Sequence, residues 1–328
     1  MSTNRELESS VSIPDLACDE ISDAEWLQAR VGEPVGCMHR IVRQLASGGM
    51  GHVFLAEHIH LGAYAAVKVP RIGSEAARSC LQREARMLGQ LQHPNIVSVL
   101  DVGQLSDGLP YMMTEYVSGL ELESWLDGSG PGRMTWKRSI GVLRQVAAAV
   151  DYLHAQGVVH GDIKPSNILV DPRAHDFVKL VDFGIAYRQD PNSVRRGVVG
   201  TPAYMAPEQA RGDACGPAID GYGIAALALE LMTGKPPYDY SDAQAALTAI
   251  LTQPPSLPSH RGMHVPGLDD VFAKGLHAEP AQRFAIATEF VEALEQVMLD
   301  AESERTTVTK LAPVKNKKPR TLPIRPLP

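Results

Sequence analysis

The stretch His160-Gly161-Asp162-Ile163-Lys164-Pro165-Ser166-Asn167 stands directly before an apolar run, Ile168 to Val170, that reads as a strand. It gathers an acid, a cation and an amide. Asp162 can accept a proton from an attacking hydroxyl, Lys164 can neutralise charge on a transferring phosphoryl group, and Asn167 can ligate a metal through its side-chain oxygen. A second apolar run, Val178 to Val181, ends in Asp182-Phe183-Gly184, where a carboxylate suits a hard cation such as Mg2+. Aspartate at a strand end is also an ordinary turn or cap residue. Neither stretch is decisive alone; their order and spacing, together with what lies upstream, carry the reading.

Upstream, Ile41 to Leu45 and Val53 to Glu57 flank Ser47-Gly48-Gly49-Met50-Gly51 and predict an antiparallel pair around a glycine-rich loop. Without Cβ atoms, such a loop lets backbone amides approach phosphate oxygens, although a plain turn has the same composition. Tyr64 to Pro70 predicts a third strand, and Lys68 lies near its end. A cation there is either solvated or paired with an anion. Glu75 to Leu91 predicts a helix, with Ala77, Leu81, Ala85 and Leu88 at spacings of three and four. Glu84 falls on its inward face, where it can aim Lys68 at phosphates; a surface glutamate is the alternative. Ile96 to Val102 and Tyr111 to Val117 complete a mainly β first lobe. Helices are expected over Ile140–Gln156, Asp220–Met232, Ala243–Thr252, Leu268–Leu276 and Ala287–Leu299.

Taken in order, these motifs resemble the eukaryotic-type (Hanks-type) serine/threonine protein kinases that bacteria also carry. Ala206-Pro207-Glu208, the segment Gly200-Thr201-Pro202-Ala203-Tyr204-Met205, Asp220 and Arg283 extend the match over most of residues 39–299. The resemblance implies an α+β, two-lobed protein-kinase fold with ATP and Mg2+ as cofactors and protein serine or threonine hydroxyls as acceptors. It further implies that Leu45, Ala46, Ser47, Gly48, Gly49, Met50 and Gly51 cover the nucleotide, and that Val53, Ala66 and Leu169 sandwich the adenine. Thr114 would stand behind it, and the backbone of Glu115 and Val117 would bond its edge. Lys68, held by Glu84, would contact the phosphates, and Asp182 and Asn167 would hold Mg2+. Asp162 would be the base, Lys164 would steady the transferred group, and Thr201 would favour serine or threonine over tyrosine.

Two positions depart from the pattern. Ala46 replaces a loop glycine, a mild change if its φ is negative. Gly161 replaces the arginine that in this family pairs with a phosphate on the activation segment, a contact glycine cannot make. Residues 185–199 hold one serine, Ser193, and no threonine. The sequence therefore predicts activity that does not depend on phosphorylation of that segment. A catalytically dead scaffold of the same fold is the alternative that Ala46 and Gly161 suggest. A small-molecule kinase is disfavoured by the Gly200–Glu208 segment.

Composition bounds the rest. The chain has 328 residues, 44% hydrophobic and 21% charged, which suits one large two-lobed domain or two ordinary ones. A net charge of -7 is unlike the basic body of a nucleic-acid binder, so no nucleic-acid partner is expected. Cys18, Cys37, Cys80 and Cys215 are scattered without metal-finger spacing, as expected of reduced thiols. With no apolar run long enough to span a bilayer and no signal core at MSTNRELESS, the expected location is cytoplasmic. Residues 1–38 carry eight acidic residues against two basic ones and read as a flexible extension. The kinase-like domain is expected over 39–299, divided into an N-lobe of 39–117 and a C-lobe of 118–299. Residues 300–328 read as a basic, proline-rich tail. Its Arg320-Thr321-Leu322-Pro323-Ile324-Arg325-Pro326 stretch could present a polyproline-type ligand, or be a plain linker.

Overall fold

The computed structural model describes residues 27–49, 51–127, 134–188, 200–240 and 242–311, with side chains to residue 304. Met50, Ser193, Cys18 and the 320–326 stretch lie outside the described residues.

The first lobe is a six-stranded antiparallel sheet in the order β1-β2-β3-β4-β6-β5. Its strands are β1 (Pro34–Val35), β2 (His39–Gly48), β3 (Gly51–His58), β4 (Tyr64–Pro70), β5 (Val99–Gln104) and β6 (Pro110–Glu115). β2 and β3 pair to the Gly48–Gly51 position, so Ser47, Gly48 and Gly51 of the expected glycine loop stand in the ladder. Residues 27–38 are not wholly a free extension. β1 pairs with β2, Leu27 packs on the sheet core, and Arg30 forms ion pairs with Glu33 and Asp107. Between β4 and β5 runs α1 (Glu75–Leu88), capped by the Ser74 side chain, which accepts from the Ala77 N–H. α1 ends at Leu88 rather than Leu91, and β5 begins at Val99 rather than Ile96. The intervening residues pair instead with the second lobe: Val97 N–H donates to Leu180 C=O at 3.1 Å and Leu180 N–H to Asn95 C=O at 2.8 Å.

The second lobe is mainly helical. After β7 (Leu120–Glu121) and the short α2 (Glu123–Leu126) comes α3 (Trp136–Ala155). It starts four residues before the expected Ile140, capped by the Thr135 side chain. β8 (Val158–Val159), β9 (Ile168–Asp171), β10 (Phe177–Leu180) and β11 (Tyr187–Arg188) carry the chemistry-bearing loops between them. Then follow α4 (Pro207–Arg211), α5 (Ala218–Thr233), α6 (Ala243–Thr252), α7 (Leu268–Gly275) and α8 (Ala287–Leu311). α5 is buried nearly all round, which explains its continuous apolar sequence. α8 continues past Leu299, where the apolar spacing ends.

There are two main cores. One, built from Val35, Ile41, Phe54, Val67, Val69 and Met113 among others, lies under the sheet. The larger one joins α3, α5, α7 and α8 and also takes in Leu81, Met87 and Leu88 of α1. Glu84 therefore sits on a helix that packs on β4, β5 and β6 and also reaches the larger core. Among the described residues, no helix is long and apolar enough to cross a membrane.

Candidate active site

Lys68 lies on the face of β4 opposite the buried Val67 and Val69, and its half-buried side chain carries the ammonium toward α1 and Asp182. Its Nζ lies 3.0 and 2.8 Å from the two oxygens of Glu84 and 2.8 Å from Asp182 Oδ1. Burial alone would lower the Lys68 pKa, but the two carboxylates outweigh it and hold the group protonated well above its ordinary range. Burial works to raise Asp182, yet Lys68 and the Gly184 N–H bring its carboxyl below the usual value. Asp182 is a non-glycine residue at φ 59°, a conformation costing roughly 1 kcal/mol that these contacts sustain. Phe183 N–H donates to Glu84 Oε1 at 3.1 Å, and the Phe183 ring stands edge-on to His160, centroids 4.7 Å apart. One glutamate thus joins β4, α1 and the Asp182 loop.

The second constellation centres on Asp162. Its Oδ1 accepts from the Thr201 N–H and hydroxyl, each at 3.0 Å, and its Oδ2 lies 2.8 Å from Lys164 Nζ. Lys164 also donates to Thr201 Oγ1 at 2.9 Å. Asn167 Nδ2 donates to the Asp162 carbonyl at 2.9 Å and to Oδ2 at 3.2 Å, which leaves the Asn167 amide oxygen for another partner. Val181 N–H donates to Asn167 C=O at 2.9 Å, so Asn167 and Asp182 stand on adjoining backbone. Two oxygen donors so placed fit a hard divalent cation.

Behind this loop, the fully buried Asp220 accepts from the N–H groups of His160 and Gly161 at 2.9 and 2.7 Å and contacts His154 Nε2 at 2.8 Å. Gln209 Nε2 donates to Gly161 C=O at 3.0 Å. Arg283 and Glu208 form a buried fork at 2.6 and 2.7 Å, which holds the segment bearing Thr201 against the loop 277–283. Gly161 is at φ +78°, which glycine adopts freely.

Between the lobes, Leu45, Val53, Ala66, Thr114, Glu115, Val117 and Leu169 are all half-buried, as walls of an open cleft are, while Ala46, Ser47, Gly48 and Gly49 are exposed above it. Ala46 does not have positive φ, so its methyl is tolerated. The side chain of Glu115 is an addition to the sequence reading. It accepts from Lys179 Nζ at 2.6 Å and from Ser98 N–H at 2.8 Å, tying the inter-lobe connection to β10. The signal that marks Lys68, a cation inside an apolar strand, is equally present at Lys179. Tyr204, whose hydroxyl donates to Glu230 at 2.5 Å, carries no such signal.

Residues 39–314 match the protein kinase domain family. The chain is 37% identical to the serine/threonine-protein kinase pkn3 of Myxococcus xanthus over 81% of this chain and 51% of that protein. It is 38% identical to PknD of Mycobacterium tuberculosis over 85% of this chain and 42% of that protein. Among solved structures, the kinase domain of Mycobacterium tuberculosis PknI superposes with a TM-score of 0.64 at 28% identity, covering 81% of this chain and 99% of that one. The chain belongs to the protein kinase family and resembles its bacterial Hanks-type members. It spans about half the length of the curated relatives it matches.

Proposed function

We propose that this chain transfers the γ-phosphoryl group of ATP to serine or threonine hydroxyls of proteins, itself included, in the cytoplasm. The observation that carries the reading is Lys68 held between Glu84 and Asp182 while Asp162, Lys164 and Thr201 form a second cluster linked to them through Asn167 and Val181. Asp162 orients the incoming hydroxyl and takes up its proton, and Lys164 offsets charge on the moving phosphoryl group. Lys68 contacts the non-transferred phosphates. Asn167 and Asp182 would hold Mg2+, which supplies charge neutralisation on phosphate oxygens when bound. Little covalent chemistry is asked of the protein; positioning and fixed charge are sufficient.

Because Gly161 leaves no guanidinium beside Asp162, phosphorylation of the segment around Ser193 is not a requirement for activity. Incubation with ATP labelled on the γ-phosphate should label serine or threonine, and Asp162→Ala should lower transfer by at least about 100-fold. ATP binding without transfer, to itself or to a generic basic acceptor, would overturn the reading. Ser193→Ala should keep activity within about tenfold of the unmodified chain, a barrier change under roughly 1.4 kcal/mol.

A further inference from the structure

Gln209 stands at the third position of α4 and is buried, and both ends of its amide are engaged. Its Oε1 accepts from the Ala206 N–H at 3.1 Å, and its Nε2 donates to the Gly161 C=O at 3.0 Å. The first bond closes the start of its own helix, and any acceptor of the same length makes it. The second crosses 48 positions to the peptide that leads into Asp162. That peptide needs a hold from outside. Gly161 is the most permissive residue type in an uncommon conformation, φ +78°, and the nearest atoms to a Cβ built on it would be carbons of Ile219, Ile185 and Tyr187 at 3.8 to 3.9 Å. Its N–H is fixed by Asp220 at 2.7 Å and its C=O by Gln209. Gly200 packs on the same bond: a Cβ there would stand 3.4 Å from the Gly161 oxygen and 3.6 Å from Gln209 Nε2. The cavity left between the two segments is about 10 Å3, room for one water at most.

We propose that Gln209 is a positioning residue for phosphoryl transfer, a role that rests on the kinase reading above. By holding the Gly161 carbonyl, Gln209 sets the peptide plane through which the chain enters Asp162, and with it the direction of the carboxylate that meets the incoming hydroxyl. Thr201 and Gln209 belong to one short segment, fastened near its end by the buried Glu208–Arg283 fork. That segment touches the loop twice, Thr201 on the Asp162 carboxylate at 3.0 Å and Gln209 on the Gly161 carbonyl. The two contacts reach Asp162 from its side chain and from its backbone, so the segment bearing Thr201 and the base move as one body. Every donor in this linkage is a neutral amide or hydroxyl. It needs neither a phosphate nor a guanidinium, and so it orders the loop with glycine at position 161.

Two variants of the full chain separate this role from plain helix capping. Gln209→Glu keeps the acceptor for the Ala206 N–H and loses the donor to Gly161 C=O, whereas Gln209→Met has a similar volume and loses both. At pH 8 and saturating ATP each should lower kcat toward a generic basic protein acceptor by at least about tenfold while the KM for ATP stays within about twofold, because a buried carbonyl without its donor shifts the loop and leaves the nucleotide walls alone. At pH 6 the deficit of Gln209→Glu should shrink to under about threefold, since the introduced carboxyl, buried and protonated, donates to Gly161 again, while that of Gln209→Met stays as it was. Melting temperatures at both pH values establish that the chains compared are folded. Hydrogen exchange of the Gly161, Asp162 and Thr201 amides is read without turnover and should quicken at least about tenfold in both variants at pH 8. Unchanged kcat in a folded variant, a loss that appears in the KM for ATP instead, equal deficits of the two variants at pH 6, or unchanged exchange at the three amides would each overturn the role of Gln209. An unmodified chain that transfers no phosphate overturns the kinase reading instead, and the exchange measurement then decides by itself whether Gln209 holds the loop.

Discussion

Gly51 is where the hairpin of the first lobe cannot accept a side chain. Its φ is +152°, and a Cβ there would stand 2.0 Å from the Val69 carbonyl oxygen, whereas nothing lies within 4 Å of one at Gly48 or Gly49. The three glycines look alike in sequence and differ in what they do. Gly51 permits the close approach of β3 to β4; Gly48 and Gly49 leave the cleft side of the turn open. Gly51→Ala should therefore cost roughly 2–4 kcal/mol from overlap and backbone strain, read as a lowered denaturant midpoint, while Gly49→Ala leaves the midpoint within error. His160 supports a pH prediction at the same scale. Complete burial holds its imidazole below the ordinary 6.5, so the folded chain keeps it neutral where the unfolded chain takes up a proton. Stability from this residue is fully present above pH 6.5 and falls as pH drops below it, by up to about 1.4 kcal/mol per unit until the folded group titrates. Melting at pH 7.5, 6.5 and 5.5 should show the unmodified chain losing stability faster than His160→Phe. Parallel curves would refute it.

Among the elements, the β9–β10 connection is unusual in carrying two consecutive non-glycine residues, His175 and Asp176, at φ 57° and 58°. The conformation persists because Arg138 of α3 holds both Asp176 oxygens at 2.6 Å while its guanidinium stacks 4.1 Å over the buried Trp125. Asp176→Ala removes the fork and keeps the strain, and should cost about 1–2 kcal/mol; Asp176→Asn, which tolerates this region and keeps one acceptor, should cost less. Equal melting temperatures for the two variants would show that the fork carries nothing. None of this is legible in Asp171-Pro172-Arg173-Ala174-His175-Asp176, which reads as a generic turn, because the partner is 38 positions away. By contrast, α1, β4, the strand after Asn167 and the strand before Asp182 are legible, since apolar periodicity and the charges that interrupt it are local. Element ends are less so. β5 starts late because residues 95–97 are paired with Leu180, a long-range contact, and α3 starts early because Thr135 caps it.

At the scale of the whole molecule, the decisive fact is which core each element joins. The sheet has its own small core, but α1 contributes Leu81, Met87 and Leu88 to the large core of the helical lobe, and Asn95 extends that attachment. Asn95 Nδ2 donates to Val178 C=O at 2.9 Å and to Gln145 Oε1 at 3.0 Å, while its carbonyl takes Leu180 N–H. The larger core thus takes in side chains from both sides of the lobe division expected at residue 117. Glu84 lies on a helix that packs on the sheet and also reaches the larger core, so the Lys68–Glu84 ion pair ties β4 to a helix that both cores hold. Local opening follows the core to which a segment is fastened. Native-state hydrogen exchange should therefore show three behaviours. Amides of α3 and α5 should exchange only through global unfolding, those of β2 to β4 through an earlier opening of the smaller core, and the last two turns of α1 with the helical lobe. Asn95→Leu should release α1 from that group, by leaving Val178 C=O without its donor at a cost of about 1–3 kcal/mol, while the exchange of β2 to β4 stays as it was. If the last two turns of α1 exchange together with the sheet in the unmodified chain, the contacts of α1 with β4, β5 and β6 govern its opening rather than the side chains it contributes to the larger core, and the Lys68–Glu84 pair lies within one cooperative unit.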